Sequence, residues 1–216
     1  IGNFGVGGYG VYQAYRRMLS VERSRHGAEY LILYIWGDDS TRSLFRSWSL
    51  MLRAGGRPIP LPTAKPTVEL DLETGEFVEK ENLAPTIESL YRFTDSRWIV
   101  ENFRDDLALQ LSLFARGEIR RLDRARLTKL AERLDFPLDW GGDAALRAQS
   151  GRLLTKYARA ATILILEKAR EFARQSEKKL LIVLNDPYRA LNEMARGDVR
   201  YDREVVYHLT REKFGY

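Results

Sequence analysis

The sequence predicts an α/β protein whose sheet is mainly parallel. Two short, continuous apolar runs, YLILYIW at residues 30–36 and LLIVL at residues 180–184, have the length of strands. Stretches with the apolar spacing of helices lie between them. Uninterrupted apolar strands that alternate with helices are typical of parallel sheets covered on both faces. We therefore expect both runs to be strands that are buried on both faces.

The first elements of this pattern surround a glycine-rich turn. The opening residues are predicted to be the end of a strand. A helix should follow the glycines, because Val11, Tyr15 and Met18 recur at roughly helical spacing. That helix is predicted to end at His26-Gly27, since glycine is common just past a helix C-terminus. The run at residues 30–36 then completes a strand–helix–strand order.

The segment at about 53–85 is predicted to be an insertion outside the main sheet. Its first part, AGGRPIPLPTAKP, is rich in Pro and Gly and is predicted to be a loop. Its second part, TVELDLETGEFVEKENL, alternates apolar and polar residues around Thr74-Gly75. That alternation predicts a β-hairpin.

The rest of the chain is predicted to be mostly helical. Residues 86–135 have helical spacing with breaks near Thr94-Asp95 and Gly117, and residues 144–175 predict one long amphipathic helix. After the second apolar run, residues 201–216 predict a further helix.

Composition excludes several classes of function. The chain has 35 Lys and Arg against 30 Asp and Glu, but acids interrupt its basic stretches, as in residues 116–135, so we expect no nucleic-acid partner. It contains no Cys, which excludes disulfides and a thiol nucleophile. With two His, no HExxH and no Walker pattern, we expect no metal and no other cofactor. No apolar run approaches the ~20 residues of a membrane span.

The glycine turn at residues 5–10 fits G-x-G-x-x-G, with the small residue Ala14 in the following helix. This pattern has one interpretation as the phosphate-binding turn of an NAD(P)-binding Rossmann enzyme. Such a site needs an acid about 20 residues further on. Counting about 20 residues from Gly10 reaches Tyr30, whereas the acids Asp38 and Asp39 come later than this interpretation expects. A second interpretation is that the glycines only permit a tight turn and close helix packing.

A third interpretation comes from resemblance. NFGVGGYGVYQAYRR, at residues 3–17, resembles the second conserved block of the SGNH (GDSL-type) hydrolases, Asn-x-Gly-x-x-Gly-Tyr-Gly followed by a Gln-Ala-containing helix. LILYIWGDD, at residues 31–39, is similar to the strand that ends in the family's third block, Gly-Asn-Asp. ARQSEKKLLIVLNDP, at residues 173–187, is similar to the helix and strand before the last block.

The resemblance implies a flavodoxin-like three-layer α/β/α fold, with residues 1–216 in a single domain that carries the insertion. It also implies hydrolysis of a carboxylic ester through an acyl-serine intermediate, as in an esterase, lipase or acetylesterase. The substrate would be an ester of a small molecule, a carbohydrate or a lipid.

The two blocks that carry the family's catalytic triad are missing. The only GDDS, at residues 37–40, follows the second block, whereas the family's Gly-Asp-Ser precedes it. Neither His26 nor His208 has an Asp three residues before it, so neither fits Asp-x-x-His. The resemblance therefore implies that the serine lies upstream of residue 1 and the histidine downstream of residue 216, and that the domain is incomplete at both ends.

The resemblance places the oxyanion hole at Gly8 and Asp38. The backbone N–H of Gly8 would be one donor, and glycine lets the substrate carbonyl approach the main chain. Asp38 stands where the family has the Asn that donates the second hydrogen bond. An ionised carboxylate donates none, so either Asp38 is protonated, or Asp39 or Ser40 shapes the site, or the domain binds without catalysing. Asp38 and Asp39 could also simply cap the next helix.

Overall fold

The computed structural model describes residues 2–24, 27–36, 39–54, 63–185, 192 and 195–197. The chain divides into two compact units. The first, unit 1, combines Ile1–Ser43 with Arg159–Tyr216, and the second, unit 2, is the continuous segment Leu44–Ala158. The segment that interrupts unit 1 is thus longer than the insertion predicted at about 53–85, and the assignment of residues 1–216 to a single domain stays a prediction.

Unit 1 contains a two-stranded parallel sheet, as predicted. Strand β1 pairs with strand β4 in register from Tyr30↔Lys179 to Trp36↔Asn185. The elements of this unit are α1 (Val11–Ser24), β1 (Tyr30–Trp36), α2 (Asp39–Arg42), the later part of α7 (Asp143–Gln175) and β4 (Lys179–Asn185). The fold is therefore mixed α/β with parallel strands.

The prediction that both strands are buried on two faces is wrong. Along β1, the side chains of Leu31, Leu33 and Ile35 are buried, whereas those of Ile32 and Trp36 are 64% and 49% exposed. Strand β4 also has both buried and exposed positions. In a continuous apolar run every position fits a buried strand, so the pattern could not indicate that only one face is covered.

The opening segment differs from its prediction as well. Residues 2–7 contain no strand, and helix α1 begins at Val11 after an irregular stretch. The predicted helix after the glycines is confirmed. Of its predicted end at His26-Gly27, His26 lies outside the described residues, as do Gly37, Asp38 and the predicted helix at residues 201–216.

Unit 2 contains the predicted hairpin and helices. Strands β2 and β3 pair antiparallel, with Leu70↔Phe77 closest to the turn. Gly75 in that turn has a φ of 79°, a conformation that favours glycine. The elements are α3 (Trp48–Ala54), β2 (Thr67–Leu70), β3 (Phe77–Lys80), a 3₁₀ helix (Glu88–Thr94), α4 (Ser96–Phe103), α5 (Leu107–Ala115), α6 (Arg124–Arg133) and the first part of α7.

Three of these helices begin at an aspartate. Asp95, Asp106 and Asp123 each accept hydrogen bonds from backbone N–H groups in the first turn of α4, α5 and α6. A carboxyl oxygen at this position accepts hydrogen bonds from N–H groups that have no partner within the helix. The breaks predicted near Thr94-Asp95 and Gly117 coincide with these helix boundaries.

The core of unit 2 forms mainly between α5, α6 and α7. Helix α5 is buried around most of its circumference, and Leu111 and Phe114 are at most 2% exposed. Leu127 and Leu130 of α6 and Leu153 of α7 are completely buried. Among the helices of the described residues, none is both long enough and apolar enough to cross a membrane.

Candidate functional site

The glycine turn adopts a backbone conformation that requires glycine at one position. Gly8 has a φ of 76°, in the left-handed region that side chains disfavour. The turn is closed by the N–H of Tyr9, which donates to the carbonyl of Val6 at 3.2 Å. Gly8 is half-buried.

Gly10 allows this turn to lie directly against the chain that follows β1. A Cβ at Gly10 would come within 2.5 Å of the Ser43 nitrogen, 2.7 Å of the Asp39 carbonyl oxygen and 2.8 Å of the Arg42 carbonyl carbon. All three are backbone atoms, which cannot rotate away as a side chain would. The structure therefore brings Gly10 of the glycine turn against the residues that follow the end of β1.

Two N–H groups at the start of helix α1 are already hydrogen-bonded. Gly10 donates to Oε1 of Gln13 at 2.7 Å, and Tyr12 donates to Oγ of Ser43 at 3.1 Å. The Ser43 hydroxyl donates in turn to the Asp39 carbonyl at 3.2 Å. A pyrophosphate at this helix terminus would need such N–H groups. Together with the lack of a strand in residues 2–7, this disfavours the dinucleotide interpretation.

Asp39 connects the end of β1 to helix α2. Its Oδ2 accepts a hydrogen bond from the Trp36 N–H at 2.9 Å, and its Oδ1 lies 3.2 Å from Nη1 of Arg42. Both carboxylate oxygens thus hold the local turn, but these contacts are not a cap of α2, because Trp36 precedes the helix and Arg42 is contacted through its side chain. Of the three predicted site residues, the structure places Gly8 and Asp39 in neighbouring segments, whereas Asp38 lies outside the described residues.

A second polar cluster, which sequence reasoning missed, lies in unit 2. The Arg46 guanidinium forms a bidentate ion pair with the Glu69 carboxylate, in which Nε contacts Oε1 and Nη2 lies 2.8 Å from Oε2. Its Nη1 donates to the Asn102 carbonyl at 2.7 Å. The hydrogen bonds and the charge of Glu69 raise the pKa of Arg46, so the guanidinium stays protonated. Arg46 therefore joins strand β2 to the end of α4.

Asp106 is the buried acid of this cluster. Only 2% of the residue is exposed. Its Oδ1 accepts from the Leu109 N–H at 2.9 Å, and its Oδ2 accepts from the Arg46 N–H at 3.4 Å. Burial raises the pKa of Asp106 to about 6, and the charge of Glu69 adds to that rise, against the opposing effects of the N–H groups and the Arg46 charge.

Tyr157 of helix α7 closes the same cluster. Its hydroxyl oxygen accepts from the Leu70 N–H at 2.8 Å, and its ring stacks on Phe77 with centroids 6.0 Å apart. Burial raises the pKa of the Tyr157 hydroxyl, so it stays protonated. Tyr157, Glu69 and Asp106 line a cavity of about 30 Å³. That volume suits one water molecule.

One sequence signal could have indicated the buried acid. Helix α5, LALQLSLFA, is apolar on all sides, and such a helix is normally buried. The aspartate that caps a buried helix is then buried as well. By contrast, nothing in the sequence links Arg46 to Glu69, because each looks like an ordinary surface charge.

The described residues offer no metal centre. Among them, no group of three or more His, Asp or Glu side chains is arranged to hold a metal ion.

Comparisons with known proteins give no relative for this chain. No family model matches it, and neither a curated protein nor a solved structure does.

Proposed function

We propose that unit 1 is the central part of an SGNH-like ester hydrolase with a flavodoxin-like three-layer fold. The observation that carries this proposal is the packing of Gly10 on the backbone of Asp39 and Ser43. It brings the turn that resembles the second block against the residues that follow the strand of the third block. A shared site between these two blocks requires that proximity.

The sheet supports the same proposal. Strands β1 and β4 are parallel neighbours, and their carboxyl ends meet at Trp36 and Asn185. In open α/β sheets, ligands bind outside the carboxyl ends of the strands. The glycine turn and Asp39 lie at this edge of β1, where a substrate would be expected.

The proposed chemistry is the transfer of the acyl group of an ester to a serine that lies outside the 216 residues, with cleavage of the ester C–O bond and release of the alcohol. Water then hydrolyses the acyl-serine, which releases the acid and regenerates the serine. As the serine oxygen attacks the ester carbonyl, the carbonyl oxygen becomes negative. The Gly8 N–H would donate a hydrogen bond to that oxygen, and a neutral Asp38 would donate a second one. Losing one such donor typically costs about 2.7–4 kcal/mol of transition-state stabilisation.

The test compares two glycine variants of the full-length protein that contains these residues. Gly8 and Gly75 have nearly the same φ, 76° and 79°, so alanine at either position costs a similar backbone strain of about 1–2 kcal/mol. At Gly75 the added methyl would also meet Nη1 of Arg133 at 3.1 Å, but that atom ends a flexible side chain. Only Gly8→Ala should displace the oxyanion donor. We expect its kcat on p-nitrophenyl acetate to fall about tenfold or more, with Gly75→Ala near wild type. Equal activity of the two variants would contradict the role of Gly8.

Two further measurements address the reaction and the role of Asp38. A serine-reactive phosphonate should abolish hydrolysis by the full-length protein. If the unmodified protein neither hydrolyses the ester nor reacts with the phosphonate, the hydrolase proposal is wrong. Asp38→Asn should raise ester turnover, because an amide always donates. A loss of activity in this variant would reject the neutral-donor role.

A further inference from the structure

The polar cluster of unit 2 contains a buried carboxyl group without a cation of its own. Arg46 is engaged by both oxygens of Glu69 and by the Asn102 carbonyl. Within the described residues, Asp106 receives only the backbone N–H groups of Leu109 and Arg46 and forms no ion pair with a lysine or arginine side chain. A buried carboxylate that lacks a paired cation is costly.

We propose that Asp106 is a proton-operated latch that holds the first turn of helix α5 inside unit 2. With one proton taken from solvent, the neutral carboxyl group stays buried and keeps its hydrogen bond from Leu109. When the proton leaves, the negative charge is repelled by Glu69 and favours hydration, so the first turn of α5 opens. No bond between heavy atoms forms or breaks in this step. The latch does not depend on the proposed hydrolase activity.

The surroundings of Asp106 favour this behaviour. The charged and titratable groups that face it, or line the cavity beside it, come from five segments of unit 2: Arg46, Glu69, Asp105, Arg126 and Tyr157. Arg126 is engaged with Asp105, through its backbone carbonyl at 2.9 Å and its carboxylate at 3.9 Å. Both arginines therefore already have acidic or carbonyl partners, and Tyr157 stays neutral. A proton is the simplest way to neutralise Asp106.

The direction of the pH effect follows from the two states of the chain. Burial raises the pKa of Asp106 from 3.8 to about 6, so between these values the folded chain holds a proton that the unfolded chain has released. The stabilisation by this proton is fully present below about pH 4 and is lost as the pH rises through about 6. The latch therefore holds most firmly in acid and weakens towards neutral pH.

Amide hydrogen exchange with a matched pair of variants tests the latch. Asp106 and Asp123 cap their helices with nearly the same backbone angles, φ −70° and ψ 100° against φ −68° and ψ 103°, but Asp123 is exposed. We expect the protection of the Leu109 amide, corrected for intrinsic exchange, to fall about tenfold between pH 5 and pH 7.5. Asp106→Asn, which is always neutral, should abolish that fall, whereas Asp123→Asn should retain it.

Carbon-detected NMR of the Asp106 carboxyl group gives an independent readout. A titration midpoint near pH 6 supports the latch, and a midpoint near pH 4 overturns it. If Asp106→Asn does not fold, Glu69→Gln replaces it: losing the neighbouring negative charge should move the Asp106 midpoint to lower pH, and an unchanged midpoint contradicts the proposal. Adding MgCl₂ should leave the midpoint in place. A shift would identify a metal ion as the counter-charge instead.

Discussion

Replacing Gly10 with alanine tests the contact on which the proposed site depends. The new methyl carbon would lie 2.5 Å from the Ser43 nitrogen, 2.7 Å from the Asp39 oxygen and 2.8 Å from the Arg42 carbonyl carbon. Ordinary contacts of such a carbon begin near 3.4 Å. Because all three neighbours are backbone atoms, either the turn or the segment after β1 must move.

The expected loss of stability in Gly10→Ala can be compared with the effect of the same substitution at Gly7. Overpacking of this kind typically costs about 1–3 kcal/mol. At Gly7, an added Cβ would meet no atom within 4 Å, and the φ of Gly7 is not positive. Gly7→Ala should therefore stabilise the protein by about 0.4–1 kcal/mol, through the lower entropy of the unfolded chain. The two variants should differ in free energy of unfolding by about 1.5–4 kcal/mol.

Urea unfolding followed by circular dichroism measures both variants under the same conditions. Circular dichroism reports on helix α1, which follows the turn. The lower stability of Gly10→Ala should appear as a lower urea midpoint, without a change in the slope of the unfolding free energy against urea concentration. If Gly10→Ala lies within about 0.5 kcal/mol of Gly7→Ala, the turn does not pack on Asp39 and Ser43 as described. The proposed site would then lose its main support.

Three other substitutions should lower the free energy of unfolding in urea. Tyr157→Phe keeps the ring but leaves the buried Leu70 N–H without its acceptor, so we expect a loss of about 1–3 kcal/mol. Lys178→Met removes the cation that lies 2.9 Å from the carboxylate of Glu22, whose side chain is 5% exposed. We expect a loss of about 3–5 kcal/mol, because a buried carboxylate is left unpaired. Adding Glu22→Gln should recover most of that loss. Asp95→Ala removes the cap of α4 and should cost about 1 kcal/mol. Losses below about 0.5 kcal/mol would contradict each assignment.

The local elements could be predicted from the sequence because each depends on nearby residues. The hairpin follows from alternation on either side of Thr74-Gly75, and Gly75 indeed has a positive φ. The long helix predicted at residues 144–175 is Asp143–Gln175 in the structure. The helix after the glycines begins at Val11, as the spacing indicated.

Properties that depend on distant residues could not be predicted in the same way. The burial of β1 on one face depends on which parts of the chain cover it, and a uniformly apolar run carries no information on that. The contact of Gly10 with Ser43 could not be predicted specifically, because a glycine at this position fits a tight turn as well as close packing. Arg46, Glu69 and Asp106 are far apart in sequence, so no local pattern indicates that Arg46 pairs with Glu69 beside Asp106.

The pairing of β1 with β4 has a consequence for how the protein is made. Tyr30 lies opposite Lys179, 149 residues later in the chain. At the usual ribosomal speed of about 5–20 residues per second, β1 waits roughly 7–30 s for its partner strand to be synthesised. Strand β1 lacks its partner strand during that interval, while all of Leu44–Ala158 is synthesised. We therefore expect nascent chains halted before residue 179 to recruit chaperones through residues 30–36.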